Sequence, residues 1–167
     1  MTRPTITVLM TVFNGGHYLK SSIESILNQT HRDFELLIVD DCSTDDSLKI
    51  ARSFDDDRVI IVSNAENIGQ TRSLNRGLKC VRGKYIARMD ADDLAFPQWL
   101  ERQYAFVEKH PEYSVVSTKA AVVDSHNRII RILKTPLISD DIVLRCLTAS
   151  PINHVGSLMH TQTILDY

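Results

Sequence analysis

The sequence predicts an α/β fold: a three-layer sandwich with a mostly parallel central sheet and helices on both faces. Three observations predict it. Short apolar runs rich in β-branched residues recur four times before Asp90, and they are continuous rather than alternating, as strands buried on both faces are. Between successive runs lie segments with apolar residues at helical spacing or a helix-capping signal. The polar clusters fall where runs end or helices begin: Thr11 to Gly16, Asp40 to Asp45, Asn64 to Arg72, and Asp90 to Asp93. Repeated β–helix–β units give a parallel sheet, and such sheets bind ligands at the carboxyl ends of their strands.

Thr5 to Phe13 is the first strand, and Asn14-Gly15-Gly16 turns the chain. Leu19, Ile23, Ile26 and Leu27 then mark a helix from Tyr18 to Gln29. Phe34 to Val39 is a second buried strand ending in Asp40-Asp41. Ser43 or Thr44 is placed to cap a helix running through Phe54. Val59 to Val62 is a third strand, Asn64 to Gly69 a loop, and Thr71 to Val81 a third helix with Leu74, Leu78 and Val81 on one face. Tyr85 to Asp90 is the fourth strand. A helix is expected from Trp99 to near His110-Pro111, and strands over Ser114 to Ser117 and Ala120 to Val123. The latter pairs as a hairpin with Arg128 to Leu133 across Asp124-Ser125-His126-Asn127. Ser139 caps a short helix to Leu147, and Pro151 to His160 is loop followed by strand.

The 167 residues suit a single domain over residues 1–167 with a real core. A hydrophobic share of 43% argues against disorder, and a net charge of −2 gives no reason to expect a nucleic-acid partner. Three scattered cysteines are too few for a disulfide framework or a zinc site, so a cytoplasmic setting is expected. Thr161 to Tyr167 reads as the start of a helix capped by Thr161, so the expectation is a domain cut short at its C-terminal end.

Asp90, Asp92 and Asp93 end a buried strand. Carboxylates this close repel one another unless a cation sits between them, and an all-oxygen site suits Mg²⁺ or Mn²⁺, which also hold substrate phosphates. An acidic turn capping the next helix is the plainer reading; the convergence of polar clusters at strand ends favours the metal. Thr11 and Asn14 are placed to hydrogen-bond a base, though Asn14-Gly15-Gly16 is also an ordinary turn. Of Asp40 and Asp41, one is expected to face a ligand and the other to brace the loop. Gly69 would let backbone approach a ligand, and Arg72 on the first turn of its helix would reach a base or phosphate. His154 either lines a substrate pocket or is a satisfied loop histidine, and Cys42 fills space. No Gly-x-x-x-x-Gly-Lys-Ser/Thr or Gly-x-Gly-x-x-Gly motif occurs, which weakens NTPase and dinucleotide readings. A phospho-receiver domain would need an Asp after Val59-Ile60-Ile61-Val62-Ser63, and none stands there.

Four stretches in order resemble family 2 glycosyltransferases of the GT-A (Rossmann-like) fold. They are Thr5 to Asn14, Ile38 to Asp45, Asn67 to Asn75, and Met89-Ala91-bracketed Asp90 through Asp93 with Pro97. The resemblance covers nearly the whole chain. It implies transfer of a sugar from a nucleotide-diphosphate donor, commonly a UDP-sugar, to an acceptor hydroxyl with inversion, the chain carrying the donor-binding part. By position, Thr11, Asn14, Asp40, Asp41, Arg72, Asp90 and Ala91 would bind the nucleotide. Asp90 and Asp92 match the family's Asp-x-Asp motif, with Asp92 the direct Mn²⁺ or Mg²⁺ ligand. The acceptor is left open among saccharide, lipid-linked and protein, as is contact with the inner face of a membrane.

Two departures stand out. Thr11-Val12-Phe13 replaces the Pro-Thr-Tyr that many members carry before the Asn. No carboxylate base is evident, since Asp124, Asp140 and Asp141 read as turn and cap residues. The base is therefore expected beyond residue 167, and the chain is expected to bind nucleotide and metal but transfer sugar poorly. The competing readings are a sugar-phosphate nucleotidyltransferase, which would want a basic loop after the first strand, and a non-catalytic nucleotide-binding or assembly module.

Overall fold

The computed structural model describes residues 3–126, 128–133, 142 and 152–166. A six-stranded sheet runs in the order β3-β2-β1-β4-β8-β5, with β1 (Ile6–Val12), β2 (Phe34–Asp40), β3 (Val59–Ser63) and β4 (Tyr85–Asp90) parallel. β8 (Ser157–His160) is antiparallel to both β4 and β5 (Val115–Ser117). β6 (Ala121–Val123) and β7 (Ile129–Ile132) form the separate hairpin the sequence predicts, with Asp124 accepting hydrogen bonds from His126 and Arg128 in its turn.

Alternate residues of each central strand enter opposite layers, as a period of two requires. Ile6, Val8, Met10 and Val12 of β1 pack with α1 (Gly16–Leu27), α2 (Ser47–Arg52) and α4 (Trp99–Lys109). Leu9, Leu37, Val39 and Ile86 pack on the other face against α3 (Gln70–Leu78) and α5 (Thr161–Leu165). All seven residues of β1 and of β2 are buried, which is why their sequences read as unbroken apolar runs. After β3 the chain crosses back over the sheet, so β1 and β4 flank the switch point where ligands enter such folds.

Several predicted details shift. α2 is a single short helix that starts at Ser47 and ends at Arg52, and neither Ser43 nor Thr44 caps it. Ser43 Oγ instead accepts the Asn14 N–H at 3.1 Å, and Asn14 Oδ1 accepts the Thr44 N–H at 2.9 Å. These side-chain bonds compete with helix formation for the same backbone groups. Thr161 is the first residue of α5 rather than its cap; its hydroxyl donates to the Gly83 carbonyl at 2.7 Å. Ser114 to Ser117 joins the main sheet as β5 through β8. The helix predicted over Ser139 to Leu147 falls, but for Ile142, outside the described residues, as do Asp140 and Asp141. Among the described residues, no helix is long and apolar enough to cross a membrane.

Two buried polar joints fix the ends of the sheet. At the amino ends of the strands, Glu35 accepts from the Thr7 hydroxyl at 2.6 Å and from Arg82 Nε at 2.6 Å. The Gly83 N–H donates to Thr7 Oγ1 at 2.8 Å, and a Cβ on Gly83 would lie 2.4 Å from the Thr7 nitrogen. At the carboxyl ends, the Asp41 carboxylate, 3% exposed, accepts from Asn64 Nδ2 at 2.6 Å, the Ile68 N–H at 3.0 Å and the Gly69 N–H at 2.8 Å. Burial pushes its pKa up, but the hydrogen bonds from Ile68, Asn64, Ser73 and Gly69 together outweigh burial and hold it below the ordinary value.

Two predictions follow from these joints. Gly83→Ala forces backbone apart on two strands; a cost of about 3 kcal/mol, read as a Tm lowered by roughly 6–12 °C, is expected in thermal melting. Asp41→Asn turns an acceptor into a donor facing backbone N–H groups and costs about 1.5–3 kcal/mol at pH 7 in urea unfolding. The folded-state pKa of Asp41 is depressed, so its contribution is complete above the unfolded value near ~3.9 and fades as pH falls through the lower folded value. The stabilities of wild type and Asp41→Asn therefore converge only below about pH 4.

Candidate functional site

A cleft of about 480 Å³ opens at the carboxyl ends of β1, β2 and β4. Its first wall is the turn after β1, residues 11–15, where Asn14 stands at φ 53°. Asn tolerates this left-handed backbone better than most residues, and its side chain pins the 43–45 loop at the same time. The turn leaves Phe13 50% exposed, Tyr18 of α1 is 56% exposed, and both residues line the cleft. The sequence reading missed both rings; the available signal was an aromatic at a strand end, directly before a turn that leaves it nowhere to be buried.

The second wall comes from Asp41 and Gln70. Asp40 is buried and accepts the Ser43 N–H at 3.3 Å, so it braces the loop. Asp41 both braces and faces the cleft. The anion at the start of α3 is thus supplied from within, by the Asp41 carboxylate on the Ile68 and Gly69 amides. Gly69 does not serve close approach: a Cβ there would meet nothing within 4 Å, but its φ of 85° demands glycine. α3 begins one residue earlier than predicted, so Gln70 lines the cleft, while Arg72 lies exposed outside it with no side-chain partner among the described residues.

The third wall is Asp90, Ala91 and Asp92, at the end of β4. α1 holds this turn. Ser22 Oγ donates to the Asp90 carbonyl at 3.2 Å, and Ser25 Oγ accepts the Ala95 N–H at 3.1 Å. The fully buried Gln29 donates to the Phe96 carbonyl at 2.8 Å and accepts the Leu100 N–H at 3.0 Å. On this support, Asp90, Asp92 and Asp93 each present one carboxylate oxygen, all within 4.8 Å of one another. The acidic stretch reads as a cation site from all three carboxylates, while the Asp-x-Asp resemblance names only Asp90 and Asp92; the geometry puts Asp93 with them. Burial, then the Asp92 and Asp90 charges, push the Asp93 pKa up, with His154 acting the other way. His154 Nε2 lies 3.7 Å from Asp90 Oδ2, so this histidine faces the acidic cluster. Three converging oxygen donors that disfavour one another's charge fit a hard divalent cation such as Mg²⁺ or Mn²⁺. Cys42, at φ 61°, is not among the residues lining the cleft, and its Sγ lies 3.7 Å from the Ala65 carbonyl.

Residues 7–156 match the family model for Glycosyl transferase family 2. An uncharacterized glycosyltransferase of Haemophilus influenzae is 33% identical over 174 residues, which take in 98% of this chain and 54% of that protein. Among solved structures, S. aureus TarS residues 1–349 in complex with UDP-GlcNAc superposes with a TM-score of 0.79 at 22% identity, covering 97% of this chain and 47% of that one. The mannosyltransferase PcManGT of Pyrobaculum calidifontis, in complex with GDP-Man and Mn²⁺, superposes with a TM-score of 0.64 at 23% identity, over 76% of this chain and 38% of that one. The chain therefore spans about half the length of the relatives it matches. The fold is that of GT-A glycosyltransferases, and with its parallel sheet, switch-point cleft and acidic strand end the chain belongs to glycosyltransferase family 2.

Proposed function

We propose that this chain carries the donor-binding part of an inverting glycosyltransferase, which takes a nucleotide-diphosphate sugar, with UDP-sugar as first choice, and a divalent cation. The observation that carries the reading is the convergence of three carboxylate oxygens within 4.8 Å on the same cleft that presents two exposed rings. A nucleotide diphosphate needs both: a flat partner and polar groups for the base, and a cation for the phosphates. Two fold neighbours in complex with nucleotide sugars, UDP-GlcNAc in one and GDP-Man with Mn²⁺ in the other, support the donor class.

In this reading Thr11, Asn14 and Asp41 surround the base, with Asp40 setting the loop beneath them. Phe13 and Tyr18 offer rings to the base or sugar. Arg72, free of partners among the described residues, swings in over the rim. Ala91, small and 9% exposed, lets the nucleotide lie close to the strand end. Asp92, with Asp90 and Asp93, would hold the cation, whose charge neutralises the diphosphate leaving group. Among the described residues, every carboxylate lining the cleft already has a task, so the acceptor-activating base is assigned to none of them. The acceptor is a hydroxyl on a saccharide, lipid-linked or protein molecule.

Calorimetric titration of UDP tests this. Wild type is expected to bind UDP only with Mn²⁺ or Mg²⁺ present, and Asp92→Ala to raise the Kd about tenfold or more. Binding of GDP but not UDP would keep the site and change the donor. Cation-independent binding that Asp92→Ala leaves intact would contradict the reading.

A further inference from the structure

The apolar run of β4 holds one charged residue before Asp90, and that residue is Arg88. Two positions apart on a strand, the two side chains share a face. Arg88 Nη2 donates to Asp90 Oδ1 at 3.3 Å, with the side chains 19% and 22% exposed. Arg88 Nε is buried without a partner among the described residues. A largely buried guanidinium with a donor left unpaired is a poor stabiliser of a sheet, so packing alone gives no reason for arginine here. Among the described residues, its one polar side-chain contact is with the acidic cluster.

The main chain of Arg88 serves the same end. Its carbonyl accepts the Gly156 N–H at 2.9 Å, and the Gly156 carbonyl accepts from Gln103 Nε2 at 2.7 Å. This anchors the 152–156 segment and sets His154 Nε2 3.7 Å from Asp90 Oδ2. Asp90 thus has a guanidinium on one oxygen and an imidazole facing the other. By contrast, the Asp92 and Asp93 carboxylates accept no hydrogen bond among the described residues.

We infer that Arg88, with His154 facing the other oxygen of Asp90, is a built-in counter-ion that withholds Asp90 from a bare divalent cation, so that the cation and the nucleotide diphosphate bind as a pair. The inference rests on the reading that the acidic cluster holds a cation. A bare cation meets two free carboxylates and a third already engaged by a like charge. The diphosphate brings its own oxygens to the positions Asp90 would otherwise fill. Nucleotide therefore raises cation affinity, and by linkage the cation raises nucleotide affinity by the same factor. Arg88 acts through Asp90 and is a positioning residue.

The test is Mn²⁺ titration followed by the electron paramagnetic resonance signal of the free ion, at one pH, with and without UDP. Arg88→Met is expected to bind Mn²⁺ alone more tightly by about tenfold or more, since a like charge a few ångströms away disfavours the ion even when screened as in bulk water. Arg88→Lys, which keeps the charge, stays within about twofold of wild type. The enhancement of Mn²⁺ binding by UDP shrinks in Arg88→Met by the factor gained without it. Arg88→Gln carries the same expectation should circular dichroism show Arg88→Met unfolded. In an Asp90→Asn background neither change has an effect. If Mn²⁺ affinity without UDP is unchanged or weaker in Arg88→Met and Arg88→Gln, while Asp92→Asn still abolishes Mn²⁺ binding with UDP, the role of Arg88 is overturned and the cation site stands. If wild type binds no Mn²⁺ even with UDP, both fall.

Discussion

The cleft depends on one buried charge. The Asp41 N–H continues the sheet by donating to the Val12 carbonyl at 2.8 Å, while its carboxylate gathers Asn64, Ile68 and Gly69 from the next crossover. A carboxylate taken out of water is stable only when such donors replace the water it loses. Here they do, and the result is mechanical: β1, β2, the 64–69 loop and the start of α3 are locked at one point. Asn64 passes the lock on, donating to Ser73 Oγ at 2.7 Å and accepting from Arg76 at 2.7 Å. The wall proposed to face a base is rigid because its acid is already spoken for. The opposite wall has the reverse character. Among the described residues, Asp92 and Asp93 are left without donors, which is the condition under which carboxylates seek a cation.

Under the proposed function, rigidity on one side and unsatisfied charge on the other divide the labour of a nucleotide-diphosphate site. Shape and hydrogen bonding can be set in advance for a base, whose charge does not change. Phosphate charge is better met by an ion that arrives with it. α1 and the residues just after it support the acidic wall indirectly: Ser22, Ser25 and Gln29 hold the backbone of the acidic turn and leave its side chains free.

Much of this was legible in the sequence. Strands buried on both faces announce themselves as unbroken apolar runs, so β1, β2 and β4 and their acidic ends were readable directly. The alternation of runs and helical segments gave the parallel sheet. What was not legible depends on side chains that capture backbone groups or on pairing across long separations. Asn14 and Asp45 take the N–H groups that Ser43 or Thr44 was expected to cap, and α2 starts late as a result. Ser114 to Ser117 resembles any short strand, and only its partner β8, some forty residues on, assigns it to the main sheet. At the site, Gln70 rather than Arg72 reaches the cleft because α3 starts one residue early behind a glycine at positive φ. The run of acids at the end of β4 shows Asp93 in the cluster, but the Asp-x-Asp pattern names only alternate residues as ligands, whereas the turn after β4 brings one oxygen of all three acids together.

The central claim is that cation and nucleotide share this one cleft. Amide NMR of the ¹⁵N-labelled chain with UDP, first with Mg²⁺ and then with trace Mn²⁺, tests it most directly. The account predicts that UDP with Mg²⁺ shifts the amides of residues 11–15 and Gln70, and that Mn²⁺ broadens the signals of Asp90 to Asp93 first. Broadening centred on another part of the chain, or nucleotide shifts outside the β1, β2 and β4 strand ends, would contradict it.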